Sequence, residues 1–329
     1  MLRIVPIGIG TVLFLLGTGL FYAARPAQPA PRHRIVQIVD TPTAHVEPPS
    51  ALTIVTYNLG YASGRKNNRG DVLTAAEVRE NLDQAIRQLR LLRPDIVALQ
   101  EVDLDATRTF GIDQSTYLAK ALGLPYLATA ITWNKRYVPW PYWPPSRHFG
   151  RLVSGQAVLS RYPIRTQRVH RFAKPATNPV WYNWFYLDRL AQRVDIALGS
   201  RQATLWNVHL EAFDASTRTV QLAQLAALVH DDIVTNGLVW VGGDFNTAAL
   251  ASFALSAGVR SATALPIATY PSWEPRVALD HLFAIPQLVS QEGGTLPTLA
   301  CSDHLPIWRR YHLPRSGRET TRTPLGGVK

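Results

Sequence analysis

Gly243-Asp244-Phe245-Asn246 follows the run Leu238-Val239-Trp240-Val241-Gly242, so a segment that reads as a buried strand ends in a carboxylate and an amide. The same grammar recurs downstream in Leu279-Asp280-His281 and in Ser302-Asp303-His304-Leu305-Pro306. Upstream, Leu52-Thr53-Ile54-Val55-Thr56-Tyr57 delivers Asn58, and Asp95-Ile96-Val97-Ala98-Leu99-Gln100 delivers Glu101. Ala203-Thr204-Leu205-Trp206 delivers Asn207 and His209. One end of a sheet core therefore gathers metal-ligand and acid/base groups, as a hydrolase site requires.

Helical patterns join these strands. Thr74-Ala75-Ala76-Glu77 has the form of a capping box, and Val78, Leu82, Ala85, Ile86, Leu89 and Leu92 then recur at helical spacing until Pro94. A second helix is expected from Ala215 to Val234, with Leu222, Leu225, Ala226 and Val229 on one face. Strand, helix, strand argues for parallel pairing, whereas residues 193–198, Gly199-Ser200 and residues 201–210 read as an antiparallel hairpin, so the sheets should be mixed. Residues 131–149 and Trp181-Tyr182-Asn183-Trp184-Phe185-Tyr186 are rich in rings, and the first also in proline, which argues for surface loops beside the site. Self-packing, contact with lipid headgroups and base stacking are the three readings of those rings.

With 47% hydrophobic residues in a chain of 329, there is enough apolar material for one large core or two small ones. Charged residues make up only 17%, which excludes a disordered chain. Cys301 stands alone, so no intramolecular disulfide exists and the compartment stays open. A net charge of +11 and a pI near 10.0 favour phosphate-rich partners: nucleic acid, anionic lipid headgroups or polyphosphates. Residues 4–24 are uncharged and largely apolar, matching the ~20 residues of a membrane-spanning helix. Residues 1–25 are thus expected to be a transmembrane anchor, with a cleaved signal as the alternative. Arg3 before the stretch and Arg25, Arg32 and Arg34 after it leave its orientation open. A Pro-rich linker over 26–50, a catalytic domain over 51–314 and a disordered basic tail over 315–329 complete the expected organisation.

Taken in order, Tyr57-Asn58, Leu99-Gln100-Glu101-Val102, Asn207-Val208-His209-Leu210, Gly243-Asp244-Phe245-Asn246, Leu279-Asp280-His281 and Ser302-Asp303-His304-Leu305-Pro306 resemble the endonuclease/exonuclease/phosphatase superfamily. Residues 154–164 resemble the strand and turn before that family's central hairpin, with Gln156 where relatives often have Asn. The resemblance spans Thr53 to about Tyr311 and is to a membrane-associated, bacterial-type member with the deoxyribonuclease-like fold. It implies a four-layer α/β/β/α sandwich of two mixed sheets with helices outside, and phosphoester hydrolysis with Mg²⁺ or Mn²⁺.

By the same resemblance, Glu101 would be the principal metal ligand, with Asn58 completing the shell and Asp303 as a further ligand or water-orienting acid. Asp244 would orient or deprotonate water, and Asn246 would hold the phosphate or the water. His304 would meet the phosphate as an imidazolium, its tautomer fixed by Asp280, and His209 would donate to phosphate or leaving group. Plainer readings exist: Glu101 could cap a helix or pair with an arginine, Gly242-Gly243-Asp244 suits an Asx-turn, and a histidine on an apolar strand is often a core residue. His281 falls on the face opposite Asp280, and Cys301 lacks a basic partner to activate it.

The anchor and rings point to a phospholipid or sphingomyelin-type headgroup as substrate, and the basic charge to DNA or RNA. An inactive, membrane-tethered binding module is the third reading, but such a protein is expected to have lost one of Glu101, Asp244, Asp303 or His304. A monomer with its catalytic domain outside the cytoplasm is the expected state.

Overall fold

The computed structural model describes residues 4–28, 33–38, 49–67, 69–261, 265–297 and 301–313. In chain order the principal elements are α1 (Ile4–Ala24), β1 (His33–Gln37), β2 (Ala51–Asn58), α2 (Ala75–Leu92), β3 (Ile96–Asp103), α3 (Gln114–Leu122), β4 (Tyr126–Val138) and β5 (Gly150–Ser160). There follow β6 (Ile164–Arg171), α4 (Val180–Phe185), β7 (Leu190–Leu198), β8 (Arg201–His209), α5 (Ala215–Asn236) and β9 (Val239–Asp244). The chain closes through α6 (Ala251–Ala257), β10 (Arg260–Ser261), β11 (Asp280–Ala284), β12 (Ser290–Thr295) and β13 (Ile307–His312).

Two mixed sheets face each other, ordered β1-β4-β5-β3-β2-β13-β12 and β10-β11-β9-β8-β7-β6. Strand alternation explains the layers. On β2, Leu52 and Ile54 turn toward the second sheet, while Val55 and Tyr57 turn outward against Val78, Leu82 and Leu89 of α2. Helix α5 covers the other sheet with Leu225, Ala226 and Val229. These helices close the two parallel pairs, β2 with β3 and β8 with β9, because a crossover needs a segment long enough to return the chain.

Helix α2 begins where its sequence dictates. Thr74 Oγ1 accepts from Glu77 N at 3.2 Å, and Glu77 Oε2 accepts from Thr74 N at 2.8 Å. Five of its side chains, Val78, Leu82, Ala85, Ile86 and Leu89, are buried, and truncating one such leucine to alanine costs about 2–5 kcal/mol. The expected hairpin also forms, with Leu198 opposite Arg201 and Leu190 opposite His209.

Elsewhere the chain is more ordered than expected. The stretch read as a linker contains β1, which pairs with β4 at the sheet edge. The first ring-rich segment is strand up to Val138, since its prolines begin only at Pro139. The second is largely the short helix α4 rather than a loop. Apolar α1 runs for 21 residues, yet among the described residues no helix is long and apolar enough to cross a membrane, so the transmembrane expectation gains no support. The basic tail lies outside the described residues.

Candidate active site

The polar groups converge at one end of the sandwich. β2, β3, β8 and β9 reach it with their C-terminal ends; β11 and β13 run antiparallel and begin there. Asp244 is paired across the ladder with His209 on one side and Asp280 on the other. Glu101 needs a further device. The β3–β5 register slips between Leu99 and Val102, and Glu101 takes a left-handed backbone with φ 51°, so a bulge re-aims this carboxylate. Two glycines permit the close approach. A Cβ on Gly243 would stand 2.0 Å from the Val208 carbonyl oxygen, and one on Gly60, with φ +53°, would stand 2.7 Å from Asp303 Oδ1.

Amides hold the two sheets in register beneath the site. Asn207 Nδ2 lies 3.0 Å from Leu99 O and Gln192 Oε1, and Asn207 Oδ1 accepts from Gln100 Nε2 at 2.7 Å. Asn207 therefore stitches the sheets together one residue short of Glu101. Gln156 donates to Asn207 O at 3.0 Å and belongs to the same network.

His304 Nδ1 and Asp280 Oδ2 are 2.7 Å apart, and that oxygen also accepts from Thr269 Oγ1 at 2.6 Å. Burial opposes a charged imidazole, but Asp280, then Asp244 and Asp303, outweigh it and hold His304 well above the ordinary histidine value. Its other nitrogen, Nε2, stands 4.0 Å from Asp244 Oδ2. Burial, reinforced by the charge of Asp280, pushes Asp244 up to about 7, against relief from His304, the Asn246 amide and Asn58. The Asx-turn is present, with Asn246 N donating to Asp244 Oδ1 at 2.8 Å. It uses one oxygen only. Oδ2 receives Asn58 Nδ2 at 3.0 Å and is 3.7 Å from His209 Nε2.

His209 departs from its expected role. Burial, with Arg189 and His304 nearby, drives it well below the ordinary histidine value, so it is neutral. Arg189 Nη1 lies 2.5 Å from its Nε2; a guanidinium only donates, so this imidazole nitrogen accepts. The donor presented at this wall is thus Arg189, whose charge is balanced by buried Glu211, 3.6 Å away, and whose Nη2 donates to the Tyr186 hydroxyl at 3.3 Å.

Glu101 and Asp303 share one neutral partner, Asn67, whose Nδ2 lies 3.2 Å from Glu101 Oε2 and 3.1 Å from Asp303 Oδ1. Burial and the charge of Asp303 push the Glu101 carboxyl up. Two carboxylates facing each other across an amide, largely out of water, have the donor chemistry of a hard divalent cation site. Asn58 Oδ1 accepts from Gly60 N at 3.0 Å, which turns the amide oxygen to the Gly60 side, where Asp303 also lies. Asp244, Asp280 and His304 also offer ligand atoms within 4.8 Å of one another. In that trio Asp280 Oδ2 and His304 Nδ1 are engaged with each other, which suits proton handling, while Asp280 Oδ1 has no hydrogen-bond partner.

The model of the Endonuclease/Exonuclease/phosphatase family matches residues 55–304. The chain belongs to this family. Its hydrolase assignment at family level follows, as does the two-sheet sandwich, which an endonuclease/exonuclease/phosphatase protein from Beutenbergia cavernae shares with a TM-score of 0.57 and 19% identity, over 80% of this chain and 72% of that one. A mannosyl-6-phosphatase from Bacteroides thetaiotaomicron is similar at TM-score 0.57 and 15% identity, over 80% of this chain and 100% of that one. Truncated TDP2 from Caenorhabditis elegans has a TM-score of 0.50 and 18% identity, over 80% of this chain and 98% of that one. No curated protein matches the sequence.

For a family member, the site contains residues that the strand-end motifs did not reveal. Arg189 gave little signal: it stands one residue before β7, whose register sets Leu190, not Arg189, opposite His209. Asn67 had none, since it lies in an irregular loop far from Glu101 in sequence. That loop helps to form a cavity of about 170 Å³ beside the carboxylates, lined among others by Lys66, Asn67, Arg108, Arg147, His148 and Phe149. A more open groove of about 530 Å³ near Asp83 and Tyr117 lies at α2 and α3, away from these groups. His281 turns from the site to the Thr247 and Ala278 carbonyls, and Cys301 is buried 3.2 Å from the Tyr57 hydroxyl.

Proposed function

We propose that this protein is a divalent-cation-dependent hydrolase that cleaves a phosphodiester by in-line attack of water, with a phospholipid or sphingomyelin-type headgroup as substrate. The chemistry rests on one observation: a buried imidazole, charged by its 2.7 Å contact with Asp280, stands 4.0 Å from a carboxylate raised to about 7. An acid and a base thus stand side by side, where one can receive a proton from water and the other can donate to a phosphoryl oxygen.

A bound Mg²⁺ or Mn²⁺ would neutralise the phosphoryl oxygens, and Glu101 and Asp303, with Asn58 beside them, are the residues that would hold it. Asp244 Oδ2 takes a proton from the attacking water, whose oxygen forms the new bond to phosphorus as the ester P–O bond breaks. His304 Nε2–H donates to a non-bridging phosphoryl oxygen beside the attacking water, and the departing oxygen on the opposite side takes its proton from solvent. The proton held by Asp244 then passes to solvent water, which restores the carboxylate, while His304 keeps its proton throughout. Arg189 and the Asn246 amide orient the phosphate, and neutral His209 holds the guanidinium in place.

The ring-bearing segments beside the cleft support a lipid substrate. Nucleic acid is the second reading, favoured by the +11 charge and by Arg65 and Arg69, both stacked over Trp273. Incubating the full chain with sphingomyelin vesicles, phosphatidylcholine vesicles, plasmid DNA and RNA, each with Mg²⁺, Mn²⁺ or EDTA, tests both readings. Lipid turnover abolished by EDTA is expected. Cleavage of DNA alone would move the substrate to nucleic acid, and full activity in EDTA would overturn the cation-dependent mechanism.

A further inference from the structure

An aromatic patch runs from the end of α1 to the edge of the cleft. Phe21 of α1 meets Trp184 of α4 edge-on, with ring centroids 6.4 Å apart. Trp181 on the same short helix, and Tyr142 and Trp143 in the loop after β4, are exposed, Trp143 by 79%. Phe149 at the end of that loop and Phe185 of α4 pack against the same apolar cluster, with Val138 and Leu152, so loop and helix lie side by side. The patch borders the chemistry in two places. Helix α4 leads through Tyr186 to Arg189, and the loop after Trp143 carries Arg147 and His148 into the wall of the 170 Å³ cavity.

From this placement we infer that the patch, with the exposed face of α1, seats the protein on an anionic phospholipid surface. This rests on the lipid reading above and adds how the protein meets its substrate. Three observations select this occupant. The exposed rings are mainly Trp and Tyr, whose apolar bodies and polar tips suit the headgroup boundary. Cations sit on the rings at this boundary, Arg25 over Phe21 at 5.5 Å and Arg136 over Tyr22 at 4.6 Å, and complement anionic headgroups. Finally, α1 leaves the patch with Phe14, Leu13 and Leu15 exposed by 72%, 63% and 62%, apolar surface that a hydrocarbon boundary would cover. Seating requires no crossing of the bilayer, and it brings the cleft wall to the headgroup layer.

The test is flotation of the full chain in EDTA with phosphatidylcholine vesicles, alone or mixed with phosphatidylglycerol, so that binding is read without turnover. Trp143→Ala and Trp181→Ala remove exposed rings that contribute nothing to the core, and each is expected to weaken vesicle binding about tenfold. Arg25→Gln and Arg136→Gln should each weaken binding about fivefold, on phosphatidylglycerol-containing vesicles only. All four variants should hydrolyse bis(nitrophenyl) phosphate like the parent, which keeps a failure of seating distinct from a failure of the proposed chemistry. Vesicle binding that the tryptophan substitutions leave intact would overturn the inference. So would a dimer in analytical ultracentrifugation that the same substitutions dissociate, because the patch would then belong to a second copy.

Discussion

At the scale of single residues, the argument turns on which atom each side chain has left to offer. Asp280 Oδ2 is taken by His304 and Thr269, while its buried Oδ1 has no hydrogen-bond partner; the contact to the imidazole is the one through which Asp280 is expected to act. The two form one unit, and Asp280→Asn combined with His304→Ala should reduce kcat/KM scarcely more than His304→Ala alone. A double mutant whose loss equals the product of the single losses would show that they act separately. Arg189 is the opposite case, a charged donor facing the site with Glu211 and Tyr186 behind it. Arg189→Lys keeps the charge but loses the fork, and should raise KM more than it lowers kcat; Arg189→Gln should lower kcat/KM by about 10²-fold or more. Wild-type kinetics in Arg189→Gln would remove it from the phosphate wall. The position of His209 was legible in the sequence, but its hydrogen-bond polarity was not, because the partner that sets it, Arg189, precedes β7 and is not its partner in the ladder.

At the scale of elements, the close pairing of β8 and β9 places His209 beside Asp244, and Gly243 is where the two strands leave no room. Gly243→Ala would put a methyl carbon 2.0 Å from the Val208 carbonyl oxygen, and backbone cannot swing aside as a side chain can. A loss of several kcal/mol is expected, read as a lowered urea midpoint, together with loss of turnover. A variant as stable and active as the parent would mean that the ladder is looser than its register shows. Strands and helices that carry a clear period were readable, as α2 and the β7–β8 hairpin illustrate. β1 was not, since five residues among prolines give too short a pattern and their partner β4 lies some ninety residues away. The Glu101 bulge was equally hidden: alternation along β3 fixes a face, whereas the bulge is set by how β5 pairs with it.

At the scale of the whole molecule, two sheets meet at an end where Glu101, Asp244, Asp280 and Asp303 are gathered with little water around them. Without a cation this concentration of negative charge opposes folding at neutral pH, and the sign follows from the shifts. Asp244 is raised to about 7, and Glu101 is also raised, so between about pH 4 and 7 the folded protein holds protons that the unfolded chain releases. Stability from these groups therefore falls as pH rises through that window. His304 is raised by its carboxylate neighbours; its contribution is complete below the unfolded value near 6.5 and is lost as pH climbs through the folded value. All three act in the same direction; buried His209 and His281, held below the ordinary histidine value, oppose them only up to about pH 6.5, so the fall is clearest above that pH. In EDTA, Tm should fall between pH 5 and 8 by several degrees, since about 1 kcal/mol moves Tm by roughly 2–4 °C in a domain of this size. On the proposed mechanism a bound Mg²⁺ would take the place of those protons, so a saturating concentration should flatten the profile and raise Tm most at the alkaline end, with about 2.7 kcal/mol gained at a hundred times Kd. Glu101→Gln should lose most of the Mg²⁺ increment and, having one buried carboxylate fewer, should be the more stable of the two proteins in EDTA at pH 8. A wild-type Tm that rises with pH in EDTA, or an equal Mg²⁺ increment in wild type and Glu101→Gln, would mean that the cation is held elsewhere.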